Sequence, residues 1–242
     1  MTIRSEDLLL QPAAGSSRLR PRLFLWAAII TLAVVLVGFA RTYYLRVFFE
    51  SGSLTPLVHL HGLVMTLWFG LLVAQVVLVA RGKVALHRRV GAYGMAVAVA
   101  VLLVGTATAI TAARNGVTPG PPPLVFMAIP LGDMLVFAIL IALAFAYRKR
   151  PDYHKRYMVA ASLGIVTAAI ARLSFVIPGG LPAFFLTTDL ILIGIVAADS
   201  INNRRLHPAF AIGLGVVIAS QVGRFLIAGT PQWLEFARWL TQ

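Results

Sequence analysis

Long apolar runs broken by short basic clusters set the plan of this chain. Seven stretches are almost wholly apolar: 23–40, 57–80, 90–112, 124–147, 157–177, 183–199 and 208–228. Most approach the ~20 residues with which a helix crosses about 30 Å of hydrocarbon. The sixth is short, and Pro178 and Pro182 mark its entry. The pattern predicts an all-α fold, a bundle of seven transmembrane helices. Residues 1–21 are polar and irregular, with Pro12, Gly15, Ser16, Ser17 and Pro21, and read as a flexible cytoplasmic tail. Residues 22–242 then form a single seven-helix transmembrane domain.

Arg18 to Ala40 also admits a second reading. Gly38-Phe39-Ala40 has the small-x-small form of a signal-peptide cleavage site. The length of both the polar tail and the apolar run favours a retained first helix. The other six helices keep their orientation either way.

Composition agrees with the pattern. The chain is 60% hydrophobic and 12% charged, with mean hydropathy +0.89. A soluble domain carries about 25% charged residues. There is no cysteine, which excludes disulfides, thiolate metal sites, iron–sulfur clusters and c-type haem attachment.

The net charge of +13 changes meaning once its distribution is seen. Arg4, Arg18, Arg20 and Arg22 precede the first run. Arg81, Lys83, Arg88 and Arg89 join the second to the third, and Arg148, Lys149, Arg150, Lys155 and Arg156 join the fourth to the fifth. Arg204 and Arg205 join the sixth to the seventh. All these fall on one side, and only Arg41, Arg46, Arg114 and Arg238 fall on the other. Cytoplasmic loops collect Lys and Arg. The expected orientation is therefore N-terminus cytoplasmic and C-terminus external, in a bacterial cytoplasmic (inner) membrane. The positive charge then faces anionic lipid headgroups, and no nucleic-acid partner is needed to explain it.

The cytoplasmic connections share a design. His87 follows Arg81 as His154 follows Arg148, and NNRRLHP (202–208) holds His207. Each histidine opens an outward-going helix, which suggests three copies of one helical hairpin added to helix 1. In the second copy Asp133 and Arg172 flank the histidine; in the third, Asp189 and Arg224 do. The first copy has Thr66 in place of the aspartate and carries His59 and His61.

These polar residues are costly where they lie. An ionised group at mid-membrane costs about 2.5–3.5 kcal/mol on insertion scales, so such groups face the bundle interior and find partners. At a rise of about 1.5 Å per residue, Arg172 and Arg224 reach the outer third, with Asp189 nearby and Asp133 deeper. The depths invite the pairs Asp133–Arg172 and Asp189–Arg224. His59 and His61 cannot share a face, because i and i+2 are ~200° apart on a helix. His61 shares its face with Met65, Trp68, Leu72 and Gln75, so it is expected to look inward, and His59 toward a neighbour or the headgroups. The inner half offers little beyond Gln75 and Asp199.

Bland readings stand beside sharper ones. His59 and His61 can be wet interfacial histidines, and the Asp–Arg pairs can be structural glue. His87, His154 and His207 fit basic membrane-edge loops. GVTPGPPPLVF (116–126) is a proline-stiffened external loop that covers the outer site or merely connects. No H-x-x-x-H or H-E-x-x-H occurs, so the common helical zinc spacing is missing.

His59–Gly62, LHRRVG (86–91), PPPLVF (121–126) and YHKRYM (153–158) together resemble a family of bacterial seven-helix membrane proteins without a defined activity. A histidine opens one helix there, and H-R-x-x-G opens the next. A fainter likeness is to the di-haem membrane cytochromes b, which place histidines at helix ends near both faces. Those proteins set histidines on facing helices at matched depth; here the outer two share one helix. The resemblance implies a seven-helix fold and lends no activity.

The leading expectation is an outward-facing buried site of His59, His61, Asp133, Asp189, Arg172 and Arg224 that binds a cofactor or small anionic ligand. Its most specific form is haem b in membrane electron transfer, with His61 as axial ligand and Arg172 and Arg224 on the propionates. Alternatives are a transporter or proton-coupled carrier, a zinc hydrolase using His59, His61 and Asp133, and an assembly or scaffold protein with no ligand.

Overall fold

The computed structural model describes residues 20–49 and 52–242. Apart from its last two residues, the stretch assigned to the tail lies outside the described residues. Those two already belong to the first helix, α1 (Arg20–Gly38).

The chain continues through a π-helical turn at Ala40–Tyr44 and a 3₁₀ turn at Arg46–Phe48. Helices α2 (Pro56–Ala80) and α3 (Val84–Arg114) follow as a hairpin, then α4 (Pro123–Phe126) and α5 (Ala128–Ala146). Next come α6 (Pro151–Gly164), α7 (Thr167–Ala171), α8 (Gly180–Asn203), α9 (Pro208–Ile227) and α10 (Pro231–Leu240). Starts are written locally. Thr55 accepts from the Val58 N–H and Thr230 from the Trp233 N–H. A proline follows each cap, where its missing N–H costs no helical bond. The step between α4 and α5 has its cause in Pro130, whose ring would meet the carbonyl of Phe126 in an unbroken helix. The Gly179–Gly180 turn before α8 takes φ of 108° and 66°, values that cost glycine little.

Among the described residues, five helices are long and apolar enough to cross a membrane: Pro56–Ala80, Val84–Arg114, Pro123–Ala146, Gly180–Asn203 and Pro208–Ile227. Arg22–Gly38 is apolar but shorter. The seven helices expected from sequence thus become five long ones, a shorter first helix, and a broken element where 157–177 was read as one span; the sixth, expected to be short, runs 24 residues from Gly180 to Asn203. That break has a local origin. Gly164 is followed by Ile165, Val166 and Thr167, three β-branched residues of lower helix propensity. Tertiary packing reinforces it, because α6 is the centre of the bundle. It packs on α5, α9, α1 and α8, and its residues Arg156, Tyr157 and Val159 through Gly164 are all buried.

Close approach needs small residues there. A Cβ on Gly164 would lie 2.9 Å from Val136 Cγ1, and one on Gly213 would lie 2.8 Å from Ala160 Cβ. Large side chains such as Phe137, Leu140, Tyr157 and Phe210 fill the core elsewhere, while Leu63, Leu67, Leu103, Leu135, Leu186, Leu190 and Leu226 are exposed on the outside. A bundle with glycine and alanine at its close helix contacts and leucines over its outer surface suits a lipid solvent. The short α10, which the sequence pattern did not reveal, lies against α4, with Trp233 donating its indole N–H to the Leu124 carbonyl at 2.8 Å.

Candidate functional site

Two clusters of polar side chains stand at opposite ends of the bundle. The far cluster is the one read from sequence. Asp133 on α5 and Arg224 on α9 form an ion pair at 2.6 Å, with side-chain exposures of 8% and 5%. Ser220, one turn earlier on α9, also meets the guanidinium, at 3.2 Å from Nε and 3.0 Å from Nη2. Gly132 makes room, since a Cβ there would collide with Arg224. Asp189 on α8 accepts from the Gln221 amide at 3.0 Å. Gln221 and Arg224 are one turn apart and share a face, so α9 ties α5 and α8 together.

These partners differ from the pairs expected. Asp133 meets Arg224 rather than Arg172, and Asp189 meets Gln221 rather than Arg224. Similar depth set the expectation, but adjacency decides, and α5 packs directly on α9. Arg172 sits at the end of α7 with an exposed side chain. It donates to the Ala168 carbonyl at 3.1 Å and lies over the Phe39 ring at 4.5 Å.

His59 and His61 part company, as their positions on the helix require. His59 is exposed, and its ring lies 5.9 Å from that of Tyr43. The Tyr43 hydroxyl donates to the His59 carbonyl at 3.1 Å, while Tyr44 and Thr66 share a hydrogen bond of 2.7 Å. The Tyr43 ring packs so tightly on Gly62 that any Cβ there would clash. The π-helical turn therefore clamps the first turns of α2. His61 is half-buried, and its Nδ1 is buried with no hydrogen-bond partner among the described residues. The Arg172 guanidinium lies within electrostatic reach of this ring. Arg172 is thus the charge that reaches His61, while Arg224 neutralises Asp133 and the Gln221 amide donates to Asp189 in a second group. No three of His, Asp and Glu gather as metal ligands among the described residues. The trio His59, His61 and Asp133 has no geometric support as a zinc site.

The other cluster occupies the end where the basic connections meet. The His87 and His154 rings are 6.5 Å apart, and His207 Nε2 lies 3.2 Å from Asp152. These contacts bring the α2–α3, α5–α6 and α8–α9 connections together. Arg156 and Asp199 form a two-pronged ion pair at 2.8 Å and 2.8 Å, buried to 3% exposure on both sides. A third guanidinium donor reaches the Asp152 carbonyl at 2.7 Å, and Asn203 donates to Asp199 at 3.1 Å. His207 caps α9 by accepting the Ala209 N–H at Nδ1, which leaves the Nε2 proton for Asp152. Burial pushes the His207 imidazole below its usual value, while the Asp152 carboxylate pulls it partly back.

The basic end is therefore more polar than the sequence reading allowed. Arg156 was counted with the basic loops, and Asp199 stood without a partner. One signal was present: an aspartate inside an apolar helix, at the same end as an arginine that opens another helix. His154 donates from Nδ1 to the Ala144 carbonyl at 2.8 Å, and the Gln75 amide meets His87.

Helix length and hydropathy define the class, a multi-pass helical membrane protein with buried salt bridges. Comparison with protein-family models, curated proteins and solved structures finds no match. The likeness noted in the sequence accordingly assigns no family.

Proposed function

We propose that the protein spans a bacterial cytoplasmic membrane seven times, with α1 as a short crossing and α6–α7 as one broken crossing. The basic end faces the cytoplasm, and the end holding His59 and His61 faces outward. The convergence of three basic connections at one end supports this orientation. In this reading the outer half binds a small anionic ligand or cofactor between the start of α2, the π-helical turn and the end of α7.

One observation carries the proposal: the buried Nδ1 of His61, which has no hydrogen-bond partner among the described residues, with the charge of Arg172 within electrostatic reach. An unsatisfied buried polar atom costs about 1–3 kcal/mol. A cationic guanidinium next to it suits a carboxylate or phosphate. Asp133, Arg224 and Asp189 then act as the frame that holds α5, α8 and α9 around the site. In the haem b form of the proposal, His61 would hold the iron and Arg172 would meet a propionate, since Arg224 is committed to Asp133. Haem would supply one-electron chemistry; His61 and Arg172 would orient it. An absorption spectrum of purified protein tests this form, with a Soret band expected in wild type and lost in His61→Ala. Its absence from wild type removes haem and leaves the anionic ligand.

A second reading has its own support. Because Asp133–Arg224 and Asp189–Gln221 are matched internally, they serve equally as the glue of a scaffold without a ligand. Variants of His61 and Arg172 would then alter abundance and nothing else.

A further inference from the structure

The basic end holds an open cavity of about 380 Å³, lined by Asp152, Lys155, Arg156, Asn203, Arg205 and His207. Its volume falls at the low end of the ~300–1,000 Å³ common for ligand sites. Three of the six wall residues are cationic, and the acid among them is already engaged: Asp152 accepts from His207 at 3.2 Å. Arg156 is fixed by Asp199 and by the Asp152 carbonyl, so it forms a rigid floor rather than an adaptable contact. Lys155 is held with its ammonium 4.5 Å from the Phe24 ring centre, which limits where that charge can sit. Arg205 is exposed at the mouth. Arg204 just before it takes φ of 53°, a left-handed turn that brings the chain straight back to His207 and α9.

Two helices begin at this cavity. His207 is the cap of α9, and Asp152 and Lys155 lie in the opening turns of α6. The positive ends of both helix dipoles add to the side-chain charges. The sum is a small concave site of positive potential whose donors come from one fork-shaped and one point-like cation, a combination suited to phosphate oxygens. We propose that this cavity binds a phosphate group, carried by either a membrane phospholipid or a small soluble phosphate ester. It is separate from the His61–Arg172 site and stands without it.

The test uses the full chain purified in detergent, as wild type, Arg205→Gln, Asp152→Asn and Arg88→Gln. Arg88 lies at the same end but outside the cavity, so its variant matches the charge change. Native mass spectrometry measures retention of phosphatidylglycerol against diacylglycerol, which lacks the phosphate. Isothermal titration at low salt measures inorganic phosphate. Arg205→Gln is expected to weaken binding about tenfold, the scale of a lost charge-assisted contact. Asp152→Asn, which keeps an acceptor for His207 but removes a negative wall charge, is expected to tighten it. This pattern with phosphatidylglycerol alone assigns a lipid source; the same pattern with inorganic phosphate assigns a soluble one. Equal weakening in Arg88→Gln, or binding of neither probe by wild type, overturns the proposal.

Discussion

Arg224 reaches across from α9 to place Nη1 2.6 Å from Asp133 Oδ1 on α5, with both side chains nearly enclosed. Removing one partner of such a pair leaves an uncompensated buried charge, which costs about 3–5 kcal/mol. Arg224→Leu is expected to lower the melting temperature of the purified protein strongly. The double variant Arg224→Leu with Asp133→Asn should recover much of the loss. A double variant as unstable as the single one would show that the guanidinium stabilises chiefly through Ser220 and through the Phe185 ring, whose centre lies 5.4 Å from the guanidinium carbon.

Close packing around α6 gives a second expectation. Gly164→Ala places a methyl 2.9 Å from Val136 Cγ1, whereas Gly70→Ala meets no heavy atom within 4 Å. The first should destabilise by about 1–3 kcal/mol through overpacking. The second should be neutral or stabilising by up to about 1 kcal/mol, because alanine is the better helix residue. Parallel thermal melts in one detergent compare them directly.

The basic end should be sensitive to acid. Burial on folding holds the His207 imidazole below its ordinary value of 6.5. The unfolded chain therefore binds that proton first as the pH falls. Stability is fully present above 6.5 and declines as the pH drops from there toward the lower folded value. Asp152 opposes this by favouring the charged ring, and Arg156 supports it by repulsion. Melting temperature followed from pH 8 to pH 5 should fall less in His207→Asn, which retains a capping side chain, than in wild type. Equal slopes would place the acid sensitivity elsewhere.

Orientation can be read chemically, because the chain has no cysteine of its own. His59→Cys in intact cells should react with a membrane-impermeant maleimide. Arg88→Cys, at the basic end, should react only after the membrane is opened. The reverse result would invert the proposed topology and turn the His61 site toward the cytoplasm.

What the sequence revealed and what it hid follow from the same physics. Apolar run length does not depend on neighbours, so the long helices were legible; their ends were not, since α3 starts at Val84 rather than near 90 and α8, read as short, runs 24 residues. So was the split between His59 and His61, which follows from helix geometry alone. The partners of Asp133 and Asp189 were not, because depth along a helix says nothing about which helices touch. Arg156 resembled a loop charge until α6 proved to be the buried centre of the bundle. The break at Ile165 was written in three consecutive β-branched residues after Gly164. A continuous apolar run masked it. The amphipathic α10 escaped notice because its apolar residues are too few to read as a span.

The proposed ligand site is tested most directly by what the protein carries out of the membrane. Mass spectrometry of compounds extracted from purified wild type, His61→Ala and Arg172→Gln should find an anionic compound, or haem b, in wild type. That compound should be depleted about tenfold or more in both variants, at unchanged protein yield. Identical extracts from all three proteins would contradict a ligand at His61 and Arg172 and leave Asp133, Arg224, Asp189 and Gln221 as structural ties.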